Sequence, residues 1–431
     1  MNKKKLVALG MLLTIKSAFA QSVPASSIEI YGILDIGIGH DTHALSESPD
    51  YTTGMAPIIT KTANSSVNGM FNGGMAQSRI GFKGTEDLGN GLKTIFTLET
   101  GFNPQFGTLS NGPLSIADNS GKAPTTYSGD ASVAGQLFNR QANVGLSSDT
   151  WGSVVIGRSY SLGYETMSAY DPMDGSAVFS PLGYSGAYAG GGYTEDLRFD
   201  NSIHYKYESQ GFNVGALYKV GGQAGSTSAQ SAAQLTAGYT NGPFGIQATY
   251  SAIKDAFSVA SSATLGTVNL TVADTKSLML AASYKVGDVR VRGGYEYQEF
   301  TNPSNPALDA SITSVLGEPV ASVSVTAFNQ EKKLDVYFIG ATYDFSKAFS
   351  ATAAYYDIKQ NDYSAGACTT GSNVVSCGGT SKFYSFLADY KLSKRTDVYA
   401  GYMYNHVDGG MASGFLQNGN ALMGAGIKHM F

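Results

Sequence analysis

Six acidic residues crowd one glycine-rich stretch of this 431-residue chain: Glu165, Asp171, Asp174, Glu195, Asp196 and Asp200, against Arg198 as the single base between 161 and 200. Gly163, Gly175, Gly183, Gly186 and Gly190 in the same stretch tolerate backbone shapes that other residues avoid, so it can turn sharply. Bases recur elsewhere at alternate positions. Arg79 and Lys83 share a strand face with Gly81, while Ser78, Ile80 and Phe82 take the other; His204 and Lys206 lie opposite Ile203, Tyr205 and Tyr207. Acids on one side of a narrow aqueous passage and bases on the other would set up a field across it, strengthened by low-dielectric walls. Such residues sort solutes by charge and polarity. The alternative for 161–200 is a hydrated surface loop with incidental acids.

Covalent chemistry finds little support. Nucleophilic catalysis needs a nucleophile beside a base, and the five histidines, His40, His43, His204, His406 and His429, are scattered with no evident Ser or Asp partners. His40 and His43 could chelate a metal, although two hydrated loop side chains explain them more simply. No enzyme activity, metal or cofactor is expected. Cys368 and Cys377, the only cysteines, lie nine positions apart in a Gly/Ser/Thr-rich stretch. In an exported protein they read as one disulfide pinning a loop; a two-Cys metal site is the alternative, without a histidine nearby in sequence.

The elements that must position these residues are strands. Segments of eight to twelve residues alternate in character, with no long helical periodicity. Their connections are of two kinds. Seven are tight and rich in turn formers, at 84–91, 147–152, 208–211, 240–243, 286–288, 346–348 and 393–396. Eight are long and polar, near 40–74, 103–137, 161–200, 221–232, 254–276, 300–333, 360–381 and 408–419. The two kinds alternate, and fifteen connections join sixteen strands. This predicts an all-β, transmembrane antiparallel β-barrel with short periplasmic turns and long extracellular loops. Alternation also assigns faces: Tyr384, Phe386, Ala388 and Tyr390 should meet lipid or a neighbouring subunit, and Phe383, Ser385, Leu387 and Asp389 the lumen. Tyr343, Phe345 and Tyr390, beside turns, suit a periplasmic aromatic girdle. On the last strand Met423, Ala425, Ile427, His429 and Phe431 share a face that ends in a ring, as a strand closing a barrel at a membrane interface would; an ordinary edge strand is the alternative.

Composition agrees. Lys3, Lys4 and Lys5 precede the apolar run 6–15, and Ala18-Phe19-Ala20 fits a small-x-small cleavage rule, so residues 1–20 read as a signal peptide and 21–431 as the barrel. The formal net charge is −5, and the signal holds four lysines and no acid. The exported part is therefore more acidic still, which argues against nucleic acid as a partner. There are 53 Gly, 27 Tyr and 21 Phe but only 14% charged residues, the mixture that turns and aromatic girdles consume.

Several stretches resemble the general porins of Gram-negative bacteria, especially the Burkholderia, Bordetella and Neisseria type. They are Ile30-Tyr-Gly-Ile-Leu-Asp35, the block from Gln77 to Lys93, Arg140-Gln-Ala-Asn-Val-Gly-Leu146 with Gly157-Arg158, Asn201-Ser-Ile-His-Tyr205, and Gly426-Ile-Lys-His-Met-Phe431. The resemblance implies a homotrimer of sixteen-stranded barrels in the outer membrane, amid lipid and lipopolysaccharide. It implies a third long loop folded into each lumen, and a terminal strand (Ile427, His429, Phe431) read by the outer-membrane assembly machinery. It carries over Arg140 and Arg158 as wall bases, though each shares parity with apolar neighbours and could instead snorkel at the rim. Relatives usually carry Arg where His204 stands, and the loop near 103–137 is longer than theirs. The function implied is passive diffusion of ions and small hydrophilic solutes; a channel selective for one anion or nutrient, or a barrel adhesin, stays open as an alternative.

Overall fold

The computed structural model describes residues 26–43, 64–109, 137–183, 196–255, 258–259, 270–271, 273–304, 314–315, 318–319, 330–369, 371–413 and 415–431. The proposed signal peptide, Glu195 and the middles of several long loops lie outside them. The first strand, β1 (Ser27–Asp41), is antiparallel to both pieces of β2, Val67–Asn72 and Arg79–Gly89. Next come β3 (Leu92–Asn103), β4 (Gln141–Ser148), β5 (Gly152–Tyr160), and then the helix α1 (Leu162–Tyr170). The wall continues through β6 (Arg198–Ser209), β7 (Phe212–Lys219), β8 (Ala232–Asn241), β9 (Phe244–Ile253), β10 (Asp274–Val286) and β11 (Val289–Thr301). It ends with β12 (Lys332–Asp344), β13 (Phe349–Gln360), β14 (Gly379–Lys391), β15 (Thr396–Gly409) and β16 (Gly419–Met430). Each strand pairs antiparallel with its sequence neighbour. The sheet closes where β16 meets β1, in register from Ile33↔Met430 to Asp41↔Leu422. Beyond β16, Phe431 and Gly32 exchange two backbone hydrogen bonds of 3.1 Å.

The sixteen strands and the alternation of short and long connections match the sequence reading. Two differences have physical causes. The first tight turn is only Asn90-Gly91, because β2 runs on to Gly89; both turn residues have positive φ, +53° and +76°, the geometry that suits a two-residue hairpin to the strand twist. The second concerns 40–74, read as loop. Residues 67–72 are a strand hydrogen-bonded to β1, and the true irregularity is the break 73–78 that follows.

Side chains follow the assigned faces. Tyr384, Phe386 and Tyr390 are exposed on the outside, while Phe383, Ser385, Leu387 and Asp389 are buried inside. The outer surface bears a continuous apolar population, including Ile28 at 75% and Ile38 at 65% exposure. In water each such side chain would forgo about 1.5–3 kcal/mol of burial, and dozens of them would exceed the net stability of any domain; facing lipid costs nothing. Tyr343, Phe345 and Phe349 form a ring cluster beside one turn, with centroids 4.7 and 5.2 Å apart in succession. No helix among the described residues is long and apolar enough to cross a membrane.

Cys368 and Cys377 are bridged within the loop after β13, with Cα atoms 5.7 Å apart. Gln360 donates its side-chain amide to the carbonyls of Val375 and Cys377, fastening the loop base to the barrel rim. Closing so short a loop contributes about 2–3 kcal/mol, confined to that loop. Reduction should therefore speed protease cutting within 361–378 while the heat-modifiable gel mobility of the barrel stays unchanged, as a timed digestion with and without thiol would show.

Candidate functional site

The loop between β5 and β6 folds into the lumen, and its described part tracks along the inner wall. Its first element, α1, was not anticipated from sequence; at nine residues it is too short to display a helical period. Ser161 caps it by accepting from the Tyr164 N–H at 3.0 Å. Leu162 seats the helix in a buried cluster with Phe199, Leu217, Ala232 and Ile253, and its N–H donates to Gln234 at 2.7 Å. Thr166 hydrogen-bonds Thr249 at 2.7 Å.

The chain then leaves the helix in a clamped turn. Asp171 is wholly buried, and its carboxylate accepts from the Tyr356 hydroxyl at 2.6 Å and the Gly175 N–H at 2.8 Å. Burial pushes its carboxyl above the usual aspartate range, with the Tyr356 bond opposing. Asp171 is thus turned to Tyr356 and the Gly175 N–H and holds the loop's shape instead of facing the pore water, a correction to its expected place among the constriction acids. Asp174 follows at the crest of the turn and pairs with Arg292 of β11. Further along, Ser176 Oγ donates to the Gly74 carbonyl at 2.8 Å and the Ala177 N–H to the Gly73 carbonyl at 3.2 Å. Phe179 meets Phe71 edge-on at 6.1 Å and lies over Gly401, where a Cβ would come within 2.6 Å of the ring.

The bases collect on the wall opposite. Glu99 of β3 sits among Arg79 (3.7 Å), Arg140 (2.7 Å) and the hydroxyls of Tyr31 (2.9 Å) and Tyr160 (2.5 Å). Arg140 also donates to Gln77 and Tyr160, and Arg198 to Gln77 at 3.4 Å. Arg198 stacks over Tyr160 and Tyr164 at 5.3 and 5.9 Å. Lower down, Lys206 meets Glu165 of α1 at 2.5 Å, and Arg158 meets Asp200 at 2.6 Å. Lys83 lies apart, in an exposed pair with Glu29 at 3.1 Å. His204 is buried on the inner face, so it offers little to passing solutes. Asp196, at the loop's return, is half-buried.

Arg140 and Arg158 do point inward, against their parity. Arg140 precedes β4, so alternation along that strand does not govern it. At Arg158 the β5–β6 register shifts between Gly157 and Ser159, and Gly157 adopts φ +127°, which turns the arginine to the inside. Sequence reasoning missed Glu99, Gln77, Tyr160 and Arg292 as site residues. Glu99 was legible in principle, since it shares the inward face with Arg79; Arg292 shares the inward parity of Glu296 and Gln298. His40 and His43 take separate partners, Asn68 (2.9 Å) and the Gly419 carbonyl (2.5 Å). Among the described residues no cluster of metal ligands occurs.

Loop and wall thus meet in ion pairs, and in two of the pairs the acid is the more exposed partner. Asp174 is 68% exposed against 8% for Arg292, and Asp200 46% against 6% for Arg158. Glu165 is the exception in reactivity: burial raises its carboxyl above the usual glutamate range, with Lys206 opposing. On acidification it should lose its charge at a higher pH than an ordinary glutamate, uncovering Lys206. The reversal potential in a salt gradient should therefore move towards anions at a pH above the usual glutamate value of about 4.3, and Glu165→Gln should abolish that early movement.

Comparison with known proteins agrees with the fold. The profile of the Gram-negative porin family matches residues 7–410. An outer membrane porin of Bordetella pertussis is 27% identical over the whole of both chains. Outer membrane porin protein 32 of Delftia acidovorans is 27% identical over 69% of this chain and 70% of its own. Among solved structures, the anion-selective porin from Comamonas acidovorans superimposes with a TM-score of 0.64 at 19% identity, covering 94% of this chain and 100% of that one.

Proposed function

The chain belongs to the Gram-negative porin family and forms an outer-membrane diffusion channel, and we propose that this channel is a weakly selective one for small hydrophilic solutes and ions. The observation that carries this reading is the pairing of charge at the constriction. Arg292, Arg158, Lys206 and the Arg79/Arg140 pair each have a carboxylate at salt-bridge distance: Asp174, Asp200, Glu165 and Glu99. An anion drawn to Arg158 or Arg292 meets Asp200 or Asp174 first. A cation drawn to those carboxylates has the guanidinium behind them. The local field stays strong enough to orient a polar solute, yet neither sign of ion gains a large advantage.

The same reading takes the molecule as a trimer set in outer-membrane lipid, its terminal strand recognised during assembly. Outward-facing charge on the loop-ward half of the strands supports an orientation within that trimer. Across β10–β14 Lys276, Glu299 and Lys333 lie opposite one another in succession, Asp335 lies opposite Lys359, and Asp357 opposite Lys382. Outward residues of β1–β5 such as Ile38, Phe82, Val144, Leu146 and Ile156 are apolar and exposed. We place the charged arc against lipopolysaccharide headgroups and the apolar arc against neighbouring copies.

Single-channel recording of the refolded protein tests the reading. Large ohmic steps closing in threes are expected, with a reversal potential close to zero in a salt gradient. Asp174→Asn and Asp200→Asn, which uncover arginines, should each move that potential towards anions. A near-ideal anion or cation potential in the unaltered channel would overturn the weak-selectivity reading.

A further inference from the structure

Asp35 closes the motif Ile30-Tyr-Gly-Ile-Leu-Asp35, yet it touches none of the charged pairs just described. Strand alternation sends Leu34 and Ile36 outward and Asp35 inward, where it is wholly buried. A buried carboxylate is costly unless hydrogen-bonded, and this one is saturated. It accepts from the Tyr399 hydroxyl of β15 at 2.5 Å and from the N–H groups of Met75 and Ala76, both at 2.8 Å. The Asp35 backbone takes part as well. Its N–H donates to Ser78 Oγ at 2.9 Å, and its carbonyl accepts from Ser78 Oγ at 3.0 Å and the Gly73 N–H at 3.3 Å. All but one of these partners belong to the break in β2.

The break is the place where both halves of the constriction are attached. The Gly73 and Gly74 carbonyls hold Ala177 and Ser176 of the inward loop. The Gln77 side-chain carbonyl receives Arg140 and Arg198, and its backbone carbonyl receives Arg79 at 3.5 Å. Tyr399, the remaining partner of Asp35, lies over Gly74 and Gly426, where a Cβ would come within 2.2 and 2.3 Å of its hydroxyl. Its ring is 6.5 Å from Phe71, which in turn meets Phe179 of the loop.

We propose that Asp35 is a positioning residue of the channel: by folding the 73–78 break, it places the loop tip through Gly73 and Gly74 and the arginine cluster through Gln77, without meeting the solute itself. Pore width and ion preference are thereby set together from one carboxylate on the first strand. Two outputs leave the break by separate atoms, so they can be separated. Ser176→Ala removes the side-chain tie of the loop to Gly74, together with the bonds that Ser176 Oγ accepts from the Val178 and Phe179 N–H groups within the loop, and leaves the arginines untouched; Gln77→Ala removes only the side-chain tie to the arginines.

The inference rests on the channel reading, and the experiment distinguishes the two. Asp35→Asn, Tyr399→Phe, Ser176→Ala and Gln77→Ala proteins are refolded, checked for unaltered heat-modifiable mobility, and recorded singly in planar bilayers. Ser176→Ala should raise open-channel noise with the reversal potential unchanged, and Gln77→Ala should move the reversal potential with the noise unchanged. Asp35→Asn should do both, and Tyr399→Phe both to a lesser degree. Correctly folded Asp35→Asn channels with the noise and reversal potential of the unaltered protein would overturn the proposal. Should Asp35→Asn fail to fold, Tyr399→Phe decides by the same comparison, because it keeps the ring and loses only the hydroxyl. Unaltered protein that folds but does not conduct would instead overturn the channel reading.

Discussion

In the core of a bilayer no water is available to a bare N–H or C=O, so every backbone group of a spanning strand must find a partner in the sheet. The pairing of β16 with β1 meets that demand by removing both edges, and the rest of the architecture depends on it. Sixteen strands closed in this way enclose a lumen too wide for their own side chains to fill. A selective passage therefore needs a segment that folds inside. That segment must satisfy its own polar backbone, which α1 does through helical bonds and the next residues do through Asp171, Ser176 and the break in β2. Closure also brings β1 within reach of β15, so that Asp35 and Tyr399, 364 positions apart in sequence, share one hydrogen bond.

Charge is arranged under the same geometric rule. The guanidinium groups stand on the wall, where rigid strands fix them, and several of the carboxylates come forward from the loop or the strand ends. Pairs of this sort are worth little on an open surface. Within a narrow lumen such pairs would keep a transverse field, as the proposed weakly selective channel requires. The buried members, Arg140, Arg158 and Glu99, are each held by further hydrogen bonds, as groups largely removed from water must be.

Much of the barrel was legible in the chain because its signals are local. Turn residues mark the periplasmic side, and the period of two on strands such as β14 assigns lipid and lumen faces correctly. The inward placement of Lys206 and Arg79 follows from the same alternation. What alternation alone misassigned was produced by departures from regularity, although the family resemblance already carried Arg158 over as a wall base. The bulge at Gly157 reverses the face of Arg158, and the break at 73–78 turns Gln77 into the arginine cluster. Asp171 was legible as an acid but not as a turn clamp, since its tyrosine partner lies 185 positions away. Arg292 belongs to the constriction only because the loop reaches across to β11, a distance that alternation along one strand cannot express.

The most direct test of an open channel narrowed by an inward loop is swelling of proteoliposomes in neutral sugars of increasing size. Neutral solutes remove the electrostatic contribution and leave width alone. The account predicts rapid swelling with the smallest sugar, a steep decline with molecular size and no saturation with concentration. Absence of swelling with the smallest sugar, or equal rates across the series, would contradict it.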